Sequence, residues 1–182
     1  MDEVTGKGRK APFSMAFAAI TATSFCFVLR AMVIDEWGLA FALSETEKGE
    51  LLGVGLWPFA ITIVLLSLVV DRIGFQRVFW LAAACHTIGL ATLVTASGYW
   101  SLYVGTFIMA LGNGAVEAAA NPLVATLYNE DKPRWLNRLH AAWPLGLMIG
   151  GLLAIALDGI VDWRAKVALM AIPILIYTAP LI

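Results

Sequence analysis

From Val78 to Val116 the chain carries no aspartate, glutamate, lysine or arginine, and two more uncharged runs, Leu51 to Val70 and Leu139 to Leu157, lie on either side. A helix crosses a bilayer core of about 30 Å with roughly 20 apolar residues, so the middle run, about twice that length, has to cross twice. Its break is Ser97-Gly98-Tyr99-Trp100-Ser101, a tight turn flanked by aromatic residues. Composition points the same way. The chain is 60% apolar and 14% charged, with a mean hydropathy of +0.83, well above the apolar content of roughly 45–50% in soluble domains. The reading is an all-α integral membrane protein embedded in the lipid bilayer.

Six spans are predicted, at 13–34, 50–70, 78–97, 102–127, 139–157 and 165–182, after a tail of residues 1–12. Lys7, Arg9 and Lys10 before an apolar stretch resemble a signal peptide. The stretch runs on to Ile34 with no clear cleavage site, which makes it an uncleaved first span. The formal net charge of −1 hides a sided distribution. Lys7, Arg9, Lys10, Arg72, Arg77, Lys132, Arg134 and Arg138 fall on one side, against Lys48, Arg164 and Lys166 on the other, with Arg30 near that second end of span 1. Basic residues collect on the cytoplasmic side, so the N-terminus is expected in the cytoplasm of a multi-pass plasma (inner) membrane protein. Trp37, Tyr99, Trp100 and Trp163 are placed in an outer aromatic belt, and Trp80, Tyr128 and Trp135 in an inner one. Span 6 stops on Pro180-Leu181-Ile182 without a basic flank, which suggests a fragment truncated in its sixth helix, its C-terminal half missing.

The composition also argues against other classes. There is no basic stripe for nucleic acid. No His-Glu-x-x-His or comparable catalytic pair marks an enzyme, and no metal or cofactor is expected. Cys26 and Cys85 lie in different spans and read as buried small hydrophobes. His86 has no polar companion at helical spacing and is assigned to packing.

One feature is costly. Asn113, Glu117 and Asn121 recur at i, i+4 and i+8 in span 4 and, at about 40° of drift per step, share one helix face. Glu117 lies roughly 22 Å along that span, near the middle of the membrane. A central carboxyl costs on the order of 3 kcal/mol on insertion scales. A role as proton carrier justifies that cost better than an interhelical hydrogen bond does. Pro122 removes a backbone donor in the same span and frees the carbonyl near Ala118, so this stretch is expected to wall a solvent-accessible cavity. Arg30 divides between snorkelling and facing substrate, and its depth, roughly 10 Å from that of Glu117, argues against a direct pair. Trp143 is either an inner anchor or a stacking platform for a sugar ring, and His140 a helix-end residue or a relay. Gly49, Gly53 and Gly55 in span 2, and Gly146, Gly150 and Gly151 in span 5, are read as close-packing positions.

Asp71-Arg-Ile-Gly-Phe-Gln-Arg77 after span 2 and Asp158-Gly-Ile-Val-Asp-Trp-Arg164 after span 5 place Asp and Arg alike in two three-span units, as an inverted 3+3 repeat would. Leu66 to Arg77 resembles the loop between helices 2 and 3 of the major facilitator superfamily, which runs roughly Gly-x-x-x-Asp-Arg-x-Gly-Arg-Lys or Arg. Asp71, Arg72 and Gly74 match it, Arg77 supplies a late basic residue, and Ser67 stands where the first glycine is usual. Gly112 to Pro122, with Asn137 and Gly146, resembles the fucose/glucose/galactose proton-symporter group, whose helix 4 carries Gly-x-Gly-x-x-Glu-x-x-x-Asn-Pro. The resemblance implies one six-helix N-terminal half of a twelve-helix transporter. Glu117 would then couple protons, and Asn113, Glu117, Asn121, Arg30, Trp143 and His140 would contact substrate. Asp71, Arg72, Gly74 and Arg77 would form a gating loop braced against the second half. Arg30 stands where that group has an acidic residue, and Trp143 where it has a polar one, which makes an anionic substrate conceivable.

The expected function is proton-coupled uptake of a sugar or similar small polar metabolite by alternating access. The alternatives are an exporter or organic-anion antiporter of the same fold, or a membrane sensor or scaffold should the chain end at Ile182.

Overall fold

The computed structural model describes residues 6–181; residues 1–5 of the tail and Ile182 at the end of span 6 lie outside them. Among the described residues all regular structure is helical, and six stretches are long and apolar enough to cross a membrane: Gly8–Met32, Glu45–Ser67, Phe75–Val94, Tyr99–Leu127, Asn129–Ala156 and Trp163–Leu181. These are spans 1 to 6. Each begins before its predicted start, because a helix does not stop at its first charged residue. Span 1 belongs to α1 (Gly6–Met32), which begins inside the predicted tail. Between spans 1 and 2 lies a short helix, α2 (Ile34–Phe41).

Span 2 opens with α3 (Glu45–Gly53) on a capping box. The Ser44 N–H donates to Glu47 Oε2 at 2.8 Å, and the Glu47 N–H donates to Ser44 Oγ at 3.3 Å, so two otherwise orphaned donors are satisfied. Span 5 begins at Asn129 rather than 139. Its first half, α8 (Lys132–His140), carries Lys132, Arg134 and Arg138 on a helix where a loop was expected, with Pro133 in its first turn and Leu139 buried.

Three spans are built from two helices, each break just ahead of a proline. α3 gives way to α4 (Trp57–Ser67) before Pro58, α8 to α9 (Ala142–Ala156) before Pro144, and α10 (Trp163–Ala168) to α11 (Ala171–Thr178) before Pro173. A proline has no N–H for the carbonyl four residues back, and its ring crowds that carbonyl. Span 2 is followed by α5 (Val70–Ile73), and spans 3 and 4 are α6 (Phe75–Val94) and α7 (Tyr99–Leu127). α7 runs unbroken through Pro122, so the expected interruption there is limited to the missing hydrogen bond.

Span 4 is the axis of the bundle, with 72% of its apolar window buried against 28% for span 2. It packs along spans 3, 2 and 1, while span 1 packs along spans 5 and 6. Small residues permit this. A Cβ on Gly114 would sit 2.6 Å from the Phe59 carbonyl oxygen, and one on Gly146 would strike the Ser24 hydroxyl and the Thr21 carbonyl of span 1. Of the span 2 glycines, Gly49 and Gly53 have nothing within 4 Å, and only Gly55 is closely approached, by the Arg30 side chain; Gly146 and Gly150 of span 5 pack closely as expected, and span 4 adds Gly105, Gly112 and Gly114.

Call the end carrying the connections between spans 1 and 2, 3 and 4, and 5 and 6 the distal end. Its two lysines are paired. Lys48 Nζ lies 3.0 Å from Asp35 and 2.7 Å from Glu45, and the buried Lys166 Nζ lies 2.9 Å from both Glu36 and Asp158. The bond from Lys166 holds the Asp158 carboxyl below the usual carboxylate range. Arg164 donates to the Ala96 carbonyl at 3.0 Å and lies over Trp163. Trp37 and Trp163 meet edge to face at 6.2 Å and are both buried. They belong to the core, not to the lipid-facing belt expected of them, whereas Trp100 is 72% exposed.

Gly146→Val is expected to destabilise the full-length protein by about 1–3 kcal/mol through overpacking against span 1. Gly49→Val, with open space at its Cβ, should stay near the parent. Thermal unfolding of the two variants in the same detergent checks the contrast.

Candidate functional site

The polar stripe of span 4 divides in two. Glu117 is 8% exposed. Its Oε2 accepts from Asn121 Nδ2 at 3.0 Å, and the same amide donates to the Glu117 carbonyl at 3.2 Å. Among the described residues Glu117 has no cationic partner, and its Oε1 accepts no hydrogen bond. Its neighbours along the helix, Ala115, Val116, Ala118, Ala119 and Ala120, are all buried. Asn121 Oδ1 is buried without a partner.

Asn113 turns elsewhere. Its Oδ1 lies 2.9 Å from His86 Nε2, and His86 Nδ1 lies 2.8 Å from the Tyr177 hydroxyl. Two steps of four residues rotate a helix face by about 80°, which suffices for Asn113 to meet span 3 while Asn121 stays with Glu117. The tautomer with its proton on Nε2 fits both contacts, donating to the amide oxygen and accepting from the tyrosine hydroxyl at Nδ1. His86, assigned to packing, is instead the middle of a buried polar chain joining spans 3, 4 and 6. The interacting residues are 27 and 91 positions apart, so helical spacing carries no sign of it.

Arg30 does not snorkel. It is 4% exposed, its Nε donates to the Cys26 carbonyl at 3.3 Å, and its guanidinium carbon lies 5.8 Å from the Phe27 ring. The head packs against Gly55, where a Cβ would come within 2.7 Å of Nη1. It makes no ion pair with Glu117 or any other carboxylate among the described residues. Trp143 is half-buried with its ring 6.3 Å from both Phe27 and Phe59, an aromatic surface shared by spans 1, 2 and 5 rather than an interfacial anchor. Neither Phe27 nor Phe59 stands out in the sequence. His140 ends α8 and is exposed.

At the opposite end from the distal connections, Asp71 and Arg72 sit in α5, and Gly74 turns the chain into span 3 with a φ of 91°, a conformation glycine adopts without strain. Asp71, Arg72 and Arg77 are exposed and form no ion pair among the described residues. No group of three metal-binding side chains occurs among the described residues.

Six membrane-capable helices, a buried carboxyl in the fourth and a glycine-turned Asp-Arg loop after the second are the features to be matched. The family model described as Major Facilitator Superfamily matches residues 11–182. The chain belongs to that superfamily. Among solved structures it is similar to the crystal structure of a D-xylose-proton symporter, with a TM-score of 0.80 at 16% identity, over 94% of this chain and 47% of that one. A protein of Bacillus subtilis (strain 168) that carries the name niacin/nicotinamide transporter NiaP is 24% identical over 157 residues, 86% of this chain and 38% of its own length. The class E tetracycline resistance protein of Escherichia coli is 26% identical over 127 residues, covering 68% and 28%. The chain thus spans less than half the length of these relatives, as one six-helix half of the superfamily fold does.

Removing the Tyr177 hydroxyl or the His86 imidazole leaves a buried polar atom unpartnered, at a cost of about 1–3 kcal/mol. Tyr177→Phe and His86→Leu in the full-length protein should each lower the unfolding temperature. The double variant is expected to lose clearly less than the sum of the two, which a double-mutant cycle measures.

Proposed function

We propose that this chain supplies the N-terminal six helices of a secondary active transporter. It would lie in the plasma membrane with its N-terminus in the cytoplasm, and move a small polar metabolite together with protons by alternating access. The observation that carries this reading is Glu117, a carboxyl in the middle of span 4 that, among the described residues, has no ion-pair partner and one oxygen without a hydrogen bond. A group so placed gains or loses a proton without breaking an ion pair, and Asn121 holds it in position in either state. Substrate binding and protonation together would permit the switch in access. The D-xylose-proton symporter and the named niacin/nicotinamide transporter are relatives in keeping with such a role, though they differ in cargo.

Asp71, Arg72, Gly74 and Arg77 fit a gating loop that meets a second six-helix half, since the charged side chains of Asp71, Arg72 and Arg77 form no ion pair among the described residues. Arg30, Trp143 and Asn121 are the substrate-facing candidates. Asn113 is the weaker one, because His86 already occupies its amide oxygen. The aromatic surface around Trp143 and the unpaired Arg30 favour a second reading of the cargo, an organic anion over a sugar.

The test is Glu117→Gln in the full-length transporter, reconstituted with its own cargo. The variant is expected to keep downhill exchange and to lose accumulation driven by a pH gradient. Uphill, pH-driven accumulation at the parent's level would remove Glu117 from the coupling role.

A further inference from the structure

The distal end holds a cavity of about 250 Å³ lined by Phe27, Arg30, Ile34, Trp37, Leu51 and Leu56, among others. Its polar groups are all of one kind. The guanidinium of Arg30 bonds the protein only through Nε, leaving Nη1 and Nη2 without an acceptor among the described residues. Trp37 is 1% exposed, and its indole Nε1 is buried with no hydrogen-bond partner. Arg30 and Trp37, each more than nine-tenths buried, thus both line one small cavity whose other walls are apolar and whose lining includes no acidic side chain.

The nearby acids are committed elsewhere. Asp35 and Glu36 stand next to the cavity in sequence. The first pairs with Lys48 at 3.0 Å and the second with Lys166 at 2.9 Å. Neither carboxylate pairs with Arg30. A buried cation without a counter-ion, beside a buried N–H without an acceptor, is expensive unless something supplies both. The missing chemistry is an anion with at least two acceptor oxygens.

The walls say what the anion is attached to. Phe27 lines the cavity and continues through Trp143 to Phe59 at ring separations of 6.3 Å, the range in which aromatic rings associate. The volume falls below the roughly 300–1,000 Å³ of pockets for drug-sized ligands. We infer that Arg30 and Trp37 form a carboxylate site at the distal ends of spans 1 and 2, and that its ligand is a small monocarboxylate with a planar apolar body. The carboxylate takes the guanidinium and indole N–H groups, and the ring lies along Phe27 toward Trp143. This inference rests on the transporter reading for its purpose but not for its test, which measures binding without transport.

The experiment is equilibrium binding of radiolabelled benzoate to the purified full-length protein, with benzamide and acetate as competitors. Benzamide keeps the ring and loses the charge; acetate keeps the charge and loses the ring. The expected result is saturable benzoate binding, with both competitors weaker by about tenfold or more. Arg30→Gln should weaken benzoate by about tenfold or more, and Trp37→Phe, which preserves the packing, by a few-fold. Arg30→Lys serves in place of Arg30→Gln if the latter does not fold. Like Arg30→Gln, it should weaken benzoate, because the paired N–H geometry is lost. Absent benzoate binding, benzamide competing as well as benzoate, or Arg30 and Trp37 variants that bind like the parent would overturn the site. A Glu117→Gln protein that still accumulated cargo against the gradient would remove the proton-coupling reading and leave this site standing.

Discussion

The bundle depends on span 4 being thin. Three neighbouring helices reach its surface because Gly105, Gly112 and Gly114 present no side chain to spans 3 and 2, and because Ala115, Ala118, Ala119 and Ala120 add little more. In hydrocarbon, helices gain nothing by hiding apolar surface from lipid tails of equal polarity, so close backbone approach and a few polar contacts hold them together. That same close approach is what makes Glu117 consequential. A carboxyl on a thin, central helix is buried in protein and cannot reach the headgroups, and Asn121 is its one hydrogen-bond partner among the described residues.

The charges of the distal end form a second level of organisation. Lys166 is 2% exposed and bridges α2 to the connection between spans 5 and 6, while Lys48 ties α2 to the start of span 2. These contacts place α2 across the distal end and bring Trp37 into the core beside Trp163. Arg30, at the same end, pairs with no carboxylate among the described residues.

The spans were legible because lipid forbids unpaired charge, so uncharged runs mark them directly. Their ends were not, since counting charges cuts a helix at its first lysine or glutamate. α8 shows the error: Lys132, Arg134 and Arg138 ride on a helix that is already part of span 5. A finer signal was present at Ser44 and Glu47, whose spacing is that of a capping box. Within the site, helical arithmetic put Glu117 and Asn121 on one face, where the two side chains are hydrogen-bonded. It failed for Asn113 because a shared face does not determine which neighbour a side chain meets, and His86 reaches it from another helix. Trp37 was misplaced for a similar reason. Its position near a span end suggested a lipid belt, but the ion pairs that fold α2 inward join residues as far as 130 positions apart.

The central claim is that Glu117 carries a proton in the membrane. Infrared difference spectroscopy of the full-length protein in lipid, stepped across a pH range, reads that directly. The account predicts a carbonyl band of a protonated carboxylic acid that disappears as pH rises, shifts when cargo binds, and is missing from Glu117→Gln. A titration unchanged in Glu117→Gln would contradict it and place the coupling proton on another residue.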